Sequence, residues 1–347
     1  MATCCGLTGM CGPVNSLGPL EITGDHVVRY YSLGRFALLD ALRLLGVGRG
    51  QRVLLPSFIC RDLLAPVSRL GATPCWYDVG PTLVPAEPPE LWPEAAVVLA
   101  INYFGFAQDL APFAAYAQRT GARIIEDNSH GYLSRDAQGH WLGTRAPLGL
   151  FSLRKTIRIQ DGAALVVNEP ALVRGLPGQL PFDGDGLYQA QAVKARIRHV
   201  PLIGSRLLRI ATLLTRAIRQ RKTGSAIPLP DPLSETQILF SPNPWAGLVA
   251  ALTHFDSGSE VARRRDAYSQ CALEGAHCGV APVFTGLPDF CAPYGYPFRS
   301  NLTGRLAMQH LADRLGFDLM TWPDLPGAVR GKAPEYYHNV HLINFLW

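Results

Sequence analysis

The chain contains few charged residues and none of the cysteine spacings that mark a structural metal site. Charged residues make up 17% of its 347 residues, apolar residues make up 48%, and the net charge is +5. None of its eight cysteines pairs with another in C-x-x-C spacing. The sequence therefore predicts no structural zinc site, and we expect reduced cysteines. It also lacks a recognisable nucleic-acid motif, so no nucleic-acid partner is predicted.

Long hydrophobic runs are missing as well. No apolar run is long enough to span a bilayer. The first residues, MATCCGLTGMCGPVNSLG, lack the basic start and the continuous apolar stretch of a secretory signal. These features predict a cytoplasmic protein in which residues 1–24 form a flexible N-terminal arm.

Strand and helix patterns alternate through the first half of the chain. Continuous apolar segments predict buried strands, and apolar residues at helical spacing predict the helices between them. The predicted strands cover 51–56, 73–79, 95–102 and 123–127, and the predicted helices cover 34–45, 61–70 and 109–119. This order, with short turns, predicts a mixed, mostly parallel sheet with helices on both faces. In such α/β sheets a ligand binds at the carboxyl ends of the strands.

Two stretches place chemically useful residues at predicted strand ends. IIEDNSHG (124–131) ends a strand at Asp127, and His130 follows three residues later. FSLRKTIRIQDGAALVV (151–167) places Lys155 between two predicted strands. A lysine can form a Schiff base with pyridoxal phosphate, and a carboxylate can keep the pyridinium nitrogen protonated. Together the two stretches predict a pyridoxal phosphate site.

Each of these residues also has an ordinary structural interpretation when it is taken alone. A lysine between arginines is usually a surface residue, Asp127 suits a helix cap, and an isolated histidine such as His130 is usually structural. The segment SLGR at 32–35 opens a helix, where backbone amides can form an anion site, although a capping serine and a turn glycine are the favoured interpretation of this segment alone. The number and order of the motifs favour the site.

A basic segment lies near the end of the predicted large domain. Residues 187–223 contain nine Lys or Arg residues and no Asp or Glu, and they include the amphipathic stretch LLRIATLLTRAIRQRK. Such a helix can lie on an anionic membrane surface, but a solvated basic face, or one turned toward an acidic partner, is the favoured interpretation. We predict a large domain over 25–235, which includes this segment, and a smaller C-terminal α+β domain over 236–347.

The motifs, in their order and spacing, resemble those of nucleotide-sugar aminotransferases of the DegT/StrS group. The matching segments are SLGRFALLDALRLLGVGRGQRVLLPSF, LGATPCWYDVG, INYFG, IIEDNSHG and FSLRK followed by DGAALVV. A fainter match is WPDLP at 322–326. The resemblance implies the three-layer α/β architecture of pyridoxal phosphate enzymes of fold type I, the aspartate aminotransferase fold. It also implies a homodimer with shared active sites and pyridoxal 5'-phosphate as the cofactor, without a metal ion.

The resemblance implies a catalytic role for three residues. Lys155 would bond the cofactor covalently, Asp127 would pair with the pyridine nitrogen, and His130 would lie near the ring hydroxyl. The turn that carries the lysine is shorter than in the family, because only Arg154 separates Leu153 from Lys155.

The remaining cofactor contacts follow from the resemblance in the same way. The backbone amides of Gly34 and Arg35 and the hydroxyl of Ser152 would bind the phosphate. The family commonly places an aromatic ring against the cofactor at the position where this chain has Cys60. Either Phe58 takes the stacking role or the cofactor ring is held more loosely.

The implied activity is amino transfer to a keto sugar attached to a nucleotide, with glutamate as the amino donor, in polysaccharide or glycosylated-metabolite synthesis. Two alternatives stay open. One is another reaction on the same cofactor, a dehydration or an amino-acid transformation, although Lys155 stands where a sugar dehydratase of this group would have histidine. The other is a catalytically silent protein of the same fold that acts as a regulator or an assembly partner.

Overall fold

The computed structural model describes residues 26–187 and 231–346, together with isolated positions between these ranges. The predicted arm over 1–24 and most of the basic segment 187–223 lie outside the described residues. Across the described ranges, no helix is both long enough and apolar enough to cross a membrane.

A seven-stranded sheet forms the first half of the described chain. Its strands are β1 (Val27–Tyr31), β2 (Arg52–Pro56), β3 (Thr73–Tyr77), β4 (Val97–Ile101), β5 (Arg123–Asp127), β6 (Leu148–Phe151) and β7 (Ala163–Val167). They lie in the order β1-β7-β6-β5-β4-β2-β3. The neighbours from β6 to β3 pair in parallel, whereas β7 is antiparallel to both of its neighbours. The sheet is mixed and mostly parallel, as the sequence predicts.

Apolar strands in the middle of this sheet are buried along their whole length. Every residue of β4 (VVLAI) and of β7 (AALVV) is buried. The helices of this half are α1 (Gly34–Leu44), α2 (Leu64–Arg69), α3 (Ala111–Thr120) and α4 (Pro170–Val173). Gly121, with φ 75°, ends α3, because glycine adopts the left-handed conformation after a helix without a steric penalty. Cover on both faces explains why these strands show no alternation of apolar and polar residues.

Two elements differ from the sequence prediction. The strand β1 is not among the predicted strands, because Arg29 interrupts its apolar pattern; in the structure this buried arginine pairs with Asp40 of α1. The predicted helix over 61–70 begins instead with a 3-10 turn at Arg61–Leu63 and becomes α-helical at Leu64. Pro66 accounts for that boundary, since proline fits only in the first turn of a helix.

A second, antiparallel sheet lies in the C-terminal part of the chain. Its strands are β8 (Ala281–Pro282), β9 (Gly295–Arg299), β10 (Asp318–Thr321) and β11 (Val340–Asn344), in the order β10-β11-β9-β8. The helices of this part are α5 (Leu248–Thr253), α6 (Ser257–His277), α7 (Leu302–Leu315), α8 (Gly327–Arg330) and α9 (Glu335–His338). The domain boundary near residue 236 stays a prediction.

Side chains from this second part contact the carboxyl edge of the first sheet. The hydroxyl of Tyr337 lies 2.7 Å from Oγ of Ser57, and it accepts the N–H of Val79 at 2.9 Å. Nε of Arg61 lies 3.0 Å from Oδ2 of Asp324, and the Arg61 N–H donates to the Asp324 carbonyl at 2.9 Å. These contacts hold the segment after β10 against the first sheet.

Replacing Leu99 with alanine tests the core of the first sheet. Leu99, in the middle of β4, is fully buried, so Leu99→Ala removes apolar contacts and leaves a cavity. We expect the free energy of unfolding to fall by about 2–5 kcal/mol in urea denaturation. The matched control is Leu91→Ala, because Leu91 is 66% exposed. Its effect should stay within about 0.5 kcal/mol, and equal effects of the two substitutions would contradict this core.

Candidate active site

The residues predicted for catalysis meet at the carboxyl edge of the first sheet. The strand β5 ends at the buried Asp127, and the neighbouring β6 leads into the turn Leu153–Lys155. The side chain of Lys155 reaches His130, with Nζ 3.1 Å from Nε2 of the imidazole. Because parallel strands end at the same edge of a sheet, two separate stretches of sequence converge here.

His130 lies between aromatic rings. Its imidazole is parallel to the ring of Tyr294, with centroids 4.6 Å apart and planes at 3°. The ring of Phe104 is also nearly parallel to it, at 5.5 Å and 13°. Phe104 itself has φ 56° and ψ 19°, a left-handed conformation that is rare for a bulky residue. Strained backbone of this kind concentrates at functional sites, where the surrounding structure maintains it.

The contacts of His130 indicate which nitrogen of its neutral imidazole carries the proton. The Phe104 N–H donates to Nδ1 of His130 at 3.4 Å, so a neutral imidazole carries its proton on Nε2. Nε2–H donates to Nζ of Lys155 when that amine is uncharged. Burial lowers the pKa of His130 well below its usual value, and Lys155 in its protonated form lowers it further, so the imidazole is neutral. The uncharged amine is the nucleophilic form of lysine.

Burial is the main cause of the pKa shifts around this amine. It lowers the pKa of Lys155, an effect that Cys60 and Asp127 oppose and Arg154 reinforces. Burial raises the pKa of Asp127, against the hydrogen bonds of Ser129 and the charge of Lys155. It also raises the pKa of the Cys60 thiol to about 12, so this thiol stays protonated at neutral pH.

The N-terminus of α1 presents backbone amides next to the site. Its N-cap residue is Leu33, and no side chain caps the helix within the described part of the chain. The hydroxyl of Ser32 does not cap it, because this hydroxyl donates to a distant backbone carbonyl at 2.5 Å. A Cβ built on Gly34 would lie 4.0 Å from Oγ of Ser129, which follows β5. This helix end therefore has the geometry of an anion site beside Asp127.

The free space beside Lys155 is small. A cavity of about 30 Å³ is lined by Ile59, Cys60, Leu63, Ile101, Asp127, Ser129, His130, Lys155 and Trp322. One water needs about 10–15 Å³ of such volume, so the cavity holds only a few waters. Trp322 forms one wall, with its ring edge-on to Phe58, Phe104 and His130 at centroid distances of 5.2, 4.9 and 5.3 Å. The segment after β10 thus sets the size of the site.

A buried ion pair that sequence reasoning missed supports the strand ends. The carboxylate of the fully buried Glu126 accepts hydrogen bonds from Nε, Nη2 and the backbone N–H of Arg145 at 2.9, 2.6 and 3.0 Å. It also accepts one from the side-chain amide of Asn102 at 2.8 Å. Nη2 of Arg145 in turn donates to Oδ1 of Asn102 at 3.0 Å. The three residues tie the ends of β4 and β5 to the loop before β6.

The structure brings some of the predicted site residues together and leaves others at the margin. The cavity is lined by Lys155, Asp127, His130 and Cys60. The Arg35 guanidinium is paired with Asp62 at 2.7 Å. Ser152 is buried at the start of the lysine turn, whereas Phe58 is fully buried behind Trp322 and does not line the cavity. The functional roles of these residues stay predictions.

Residues 23–177 match the model of the DegT/DnrJ/EryC1/StrS aminotransferase family. This confirms the resemblance noted in the sequence. The curated relatives that the chain matches align with it over 144–162 residues, so it spans 31–39% of their lengths. One of them, the L-glutamine:2-deoxy-scyllo-inosose aminotransferase of Streptomyces kanamyceticus, is 28% identical over 151 residues, which is 41% of this chain and 35% of that protein.

Solved structures share the fold over most of the chain. CalS13, a sugar aminotransferase from Micromonospora echinospora, has a TM-score of 0.58 at 17% identity and covers 92% of this chain and 83% of its own. NtdA from Bacillus subtilis, solved with bound cofactor PMP, has a TM-score of 0.57 at 14% identity. The match covers 94% of this chain and 69% of NtdA. At these identities the likeness is one of fold, and it confirms the predicted fold type I architecture.

Lys155 should react with amine reagents at a lower pH than a free lysine does. Its lowered pKa leaves more of the uncharged amine at a given pH, and labelling rises as the pH passes upward through that pKa. The measurement is competitive acetylation with trace acetic anhydride, read by peptide mass spectrometry. The midpoint for Lys155 should lie below that of Nα-acetyl-lysine, at about 10.4. A midpoint equal to or above that of the control contradicts the burial argument.

Proposed function

We propose that this chain is a pyridoxal phosphate-dependent aminotransferase that converts a nucleotide-linked keto sugar into an amino sugar, with glutamate as the amino donor. The observation that carries the proposal is the contact between Lys155 and His130 beside the buried Asp127, at the carboxyl edge of a fold type I sheet. The family domain and the PMP bound by NtdA support the same class of chemistry. We propose a cytoplasmic homodimer with shared sites, as the resemblance implies.

The donor set beside Lys155 suits the chemical groups of pyridoxal phosphate. The backbone amides of Gly34 and Arg35 at the start of α1, with the hydroxyl of Ser152, would bind the phosphate dianion. The Asp127 carboxylate would hold a proton on the pyridine nitrogen. When bound, the cofactor supplies an electron sink for the carbon that is aminated.

The protein's own part in the reaction rests on Lys155. As an uncharged amine it would accept a proton from one carbon and return it to another, which is general acid–base catalysis. The 3.1 Å contact with Nε2 of His130 would hold Nζ in place for both transfers. The apolar rings of Phe104, Tyr294 and Trp322 around that imidazole would limit access of water.

A second cavity offers room for the substrate. It has a volume of about 820 Å³ and is lined in part by Tyr103, Phe106, Arg135 and Phe284. Small-molecule sites usually measure about 300–1,000 Å³ and have mostly apolar walls. The ring of Tyr103 also contacts Trp322 at 6.1 Å, so this cavity adjoins the ring cluster of the lysine site. We propose that it receives the nucleotide-linked sugar.

The small volume beside Lys155 favours a second candidate function. A cavity of about 30 Å³ cannot hold a pyridine ring, so Trp322 would have to move for these residues to hold the cofactor. A protein in which Trp322 stays in place would be a cofactor-free member of the family that acts as a regulator or an assembly partner.

Borohydride reduction distinguishes the two candidates. After incubation with pyridoxal phosphate and reduction, peptide mapping should find the label on Lys155, with none in Lys155→Ala and normal labelling in the control Lys332→Ala. Glutamate should then convert the unreduced complex to its pyridoxamine form, with glutamine tested in parallel. Turnover of a nucleotide-linked keto sugar should fall by about 10²-fold or more in Lys155→Ala. An unlabelled Lys155 would exclude the enzyme and leave the cofactor-free candidate.

Trp322→Ala should speed the uptake of pyridoxal phosphate. Removing the indole opens the cavity wall, and we expect the rate of the visible absorbance change to rise about tenfold or more, the effect of about 1.4 kcal/mol on a barrier. The control is Trp76→Ala on β3, since Trp76 is also half-buried but lies outside the ring cluster. Equal uptake rates in the wild type and both variants would show that Trp322 does not limit entry.

A further inference from the structure

A fully buried arginine binds the backbone of the lysine turn. Arg264 lies on α6, and none of its surface is exposed. Its Nη2 donates to the carbonyl oxygens of Thr156 at 2.9 Å and Lys155 at 3.4 Å. Its Nη1 donates to the Pro293 carbonyl at 3.2 Å, and its Nε donates to Oε1 of Glu260 at 2.7 Å. Every nitrogen of this guanidinium therefore has an acceptor.

These contacts close a path that passes through the site. Pro293 directly precedes Tyr294, whose ring is stacked on His130 at 4.6 Å. Nε2 of His130 lies 3.1 Å from Nζ of Lys155, and the carbonyl of Lys155 returns to Arg264. The guanidinium thus binds the backbone of Lys155 and also the backbone of Pro293, next to the tyrosine that stacks on His130. A closed path restrains Nζ more than either contact would alone.

Two backbone carbonyls of the lysine turn accept hydrogen bonds from Arg264, outside the turn. Within the turn, the Lys155 N–H donates to the Ser152 carbonyl at 3.0 Å and the Thr156 N–H donates to the Leu153 carbonyl at 2.9 Å. The carbonyls of Lys155 and Thr156 point instead to Arg264. A planar guanidinium suits this task because it presents several donors in a fixed fork.

Arg264 is not explained by packing or by a simple ion pair. A buried guanidinium costs several kcal/mol in desolvation unless it is well paired. Its one carboxylate partner, Glu260, is shared with Arg263, whose Nε and Nη2 bind it at 2.8 and 2.6 Å. The remaining acceptors of Arg264 are backbone carbonyls of the lysine turn and of Pro293. An apolar side chain would fill the same volume without this cost but could not donate hydrogen bonds. The role of the guanidinium is therefore to bind those carbonyls.

We infer that Arg264 is a positioning residue for Lys155. It fixes the lysine turn relative to Tyr294, the residue whose ring stacks on His130. The inference rests on the proposed function for the role of Lys155 as the reacting amine. It assigns to α6 the task of holding a turn that is shorter than its family counterpart.

The test compares Arg264→Lys with Arg263→Lys in the full chain without added cofactor. A lysine keeps the charge but cannot reach three carbonyls at once, so the turn loosens and Nζ of Lys155 becomes more hydrated. The pH midpoint of Lys155 acetylation should rise by about half a unit or more, which lowers labelling at pH 8 about threefold. Arg263→Lys, which alters the same Glu260 contact, should keep the wild-type midpoint.

Both substitutions leave the groups around the amine unchanged, so the midpoint reports its position. The titratable and charged groups that face Lys155 are Cys60, Asp62, Asp127, His130 and Arg154. Urea denaturation of each variant measures global stability separately. A merely structural arginine would lower the stability of Arg264→Lys and leave the Lys155 midpoint at its wild-type value, and that result overturns the inference.

A second pair of variants applies if Arg264→Lys does not fold. Tyr294→Leu removes the ring stacked on His130, and Tyr294→Phe keeps it. A raised Lys155 midpoint in Tyr294→Leu alone supports the closed path, and equal midpoints overturn it. Because acetylation needs no cofactor, a shifted midpoint in a protein that fails to aminate sugars would refute the proposed function and support the positioning role.

Discussion

The burial of Glu126 determines how the strand ends meet. Its carboxylate binds the guanidinium of Arg145, in the loop before β6, and the amide of Asn102, in the loop after β4. An unpaired carboxylate in that position would cost several kcal/mol, so both loops are held to the strand. Successive side chains of a strand point to opposite faces. The anchoring that satisfies Glu126 therefore directs Asp127 to the other face, where Lys155 lies.

The strands and their ends could be predicted because the information is local. The apolar run of β4 (VVLAI) is continuous and is followed by Asn102, and β5 (RIIED) ends at Asp127. Since the carboxyl ends of parallel strands share one edge, the convergence of Asp127 and Lys155 followed from the order of elements alone. The strand β1 was missed because its buried Arg29 looks like a surface residue until its partner Asp40 on α1 is known.

Arg264 and Trp322 could not be predicted in the same way, because their partners are distant in sequence. Arg264 stands in ARRRDAY, and a run of arginines usually indicates a solvated helix face. Its position in the helical pattern does indicate burial, since it shares a helical face with the apolar Ala267, Tyr268 and Cys271. The spacing indicates burial but does not identify the carbonyls of the lysine turn, which lies 109 residues earlier in the chain.

The chemistry of the site and its volume have separate origins. The polar groups come from strand ends within one segment of the chain, whereas Trp322 arrives from the second sheet and is held there through Asp324 and Arg61. Cys60 and Trp322 line the same cavity of about 30 Å³. A large aromatic at position 60 would overpack against the indole, because close-packed interiors do not absorb an added ring. The small residue at position 60 thus leaves room for the indole of Trp322 in the wall of the same cavity.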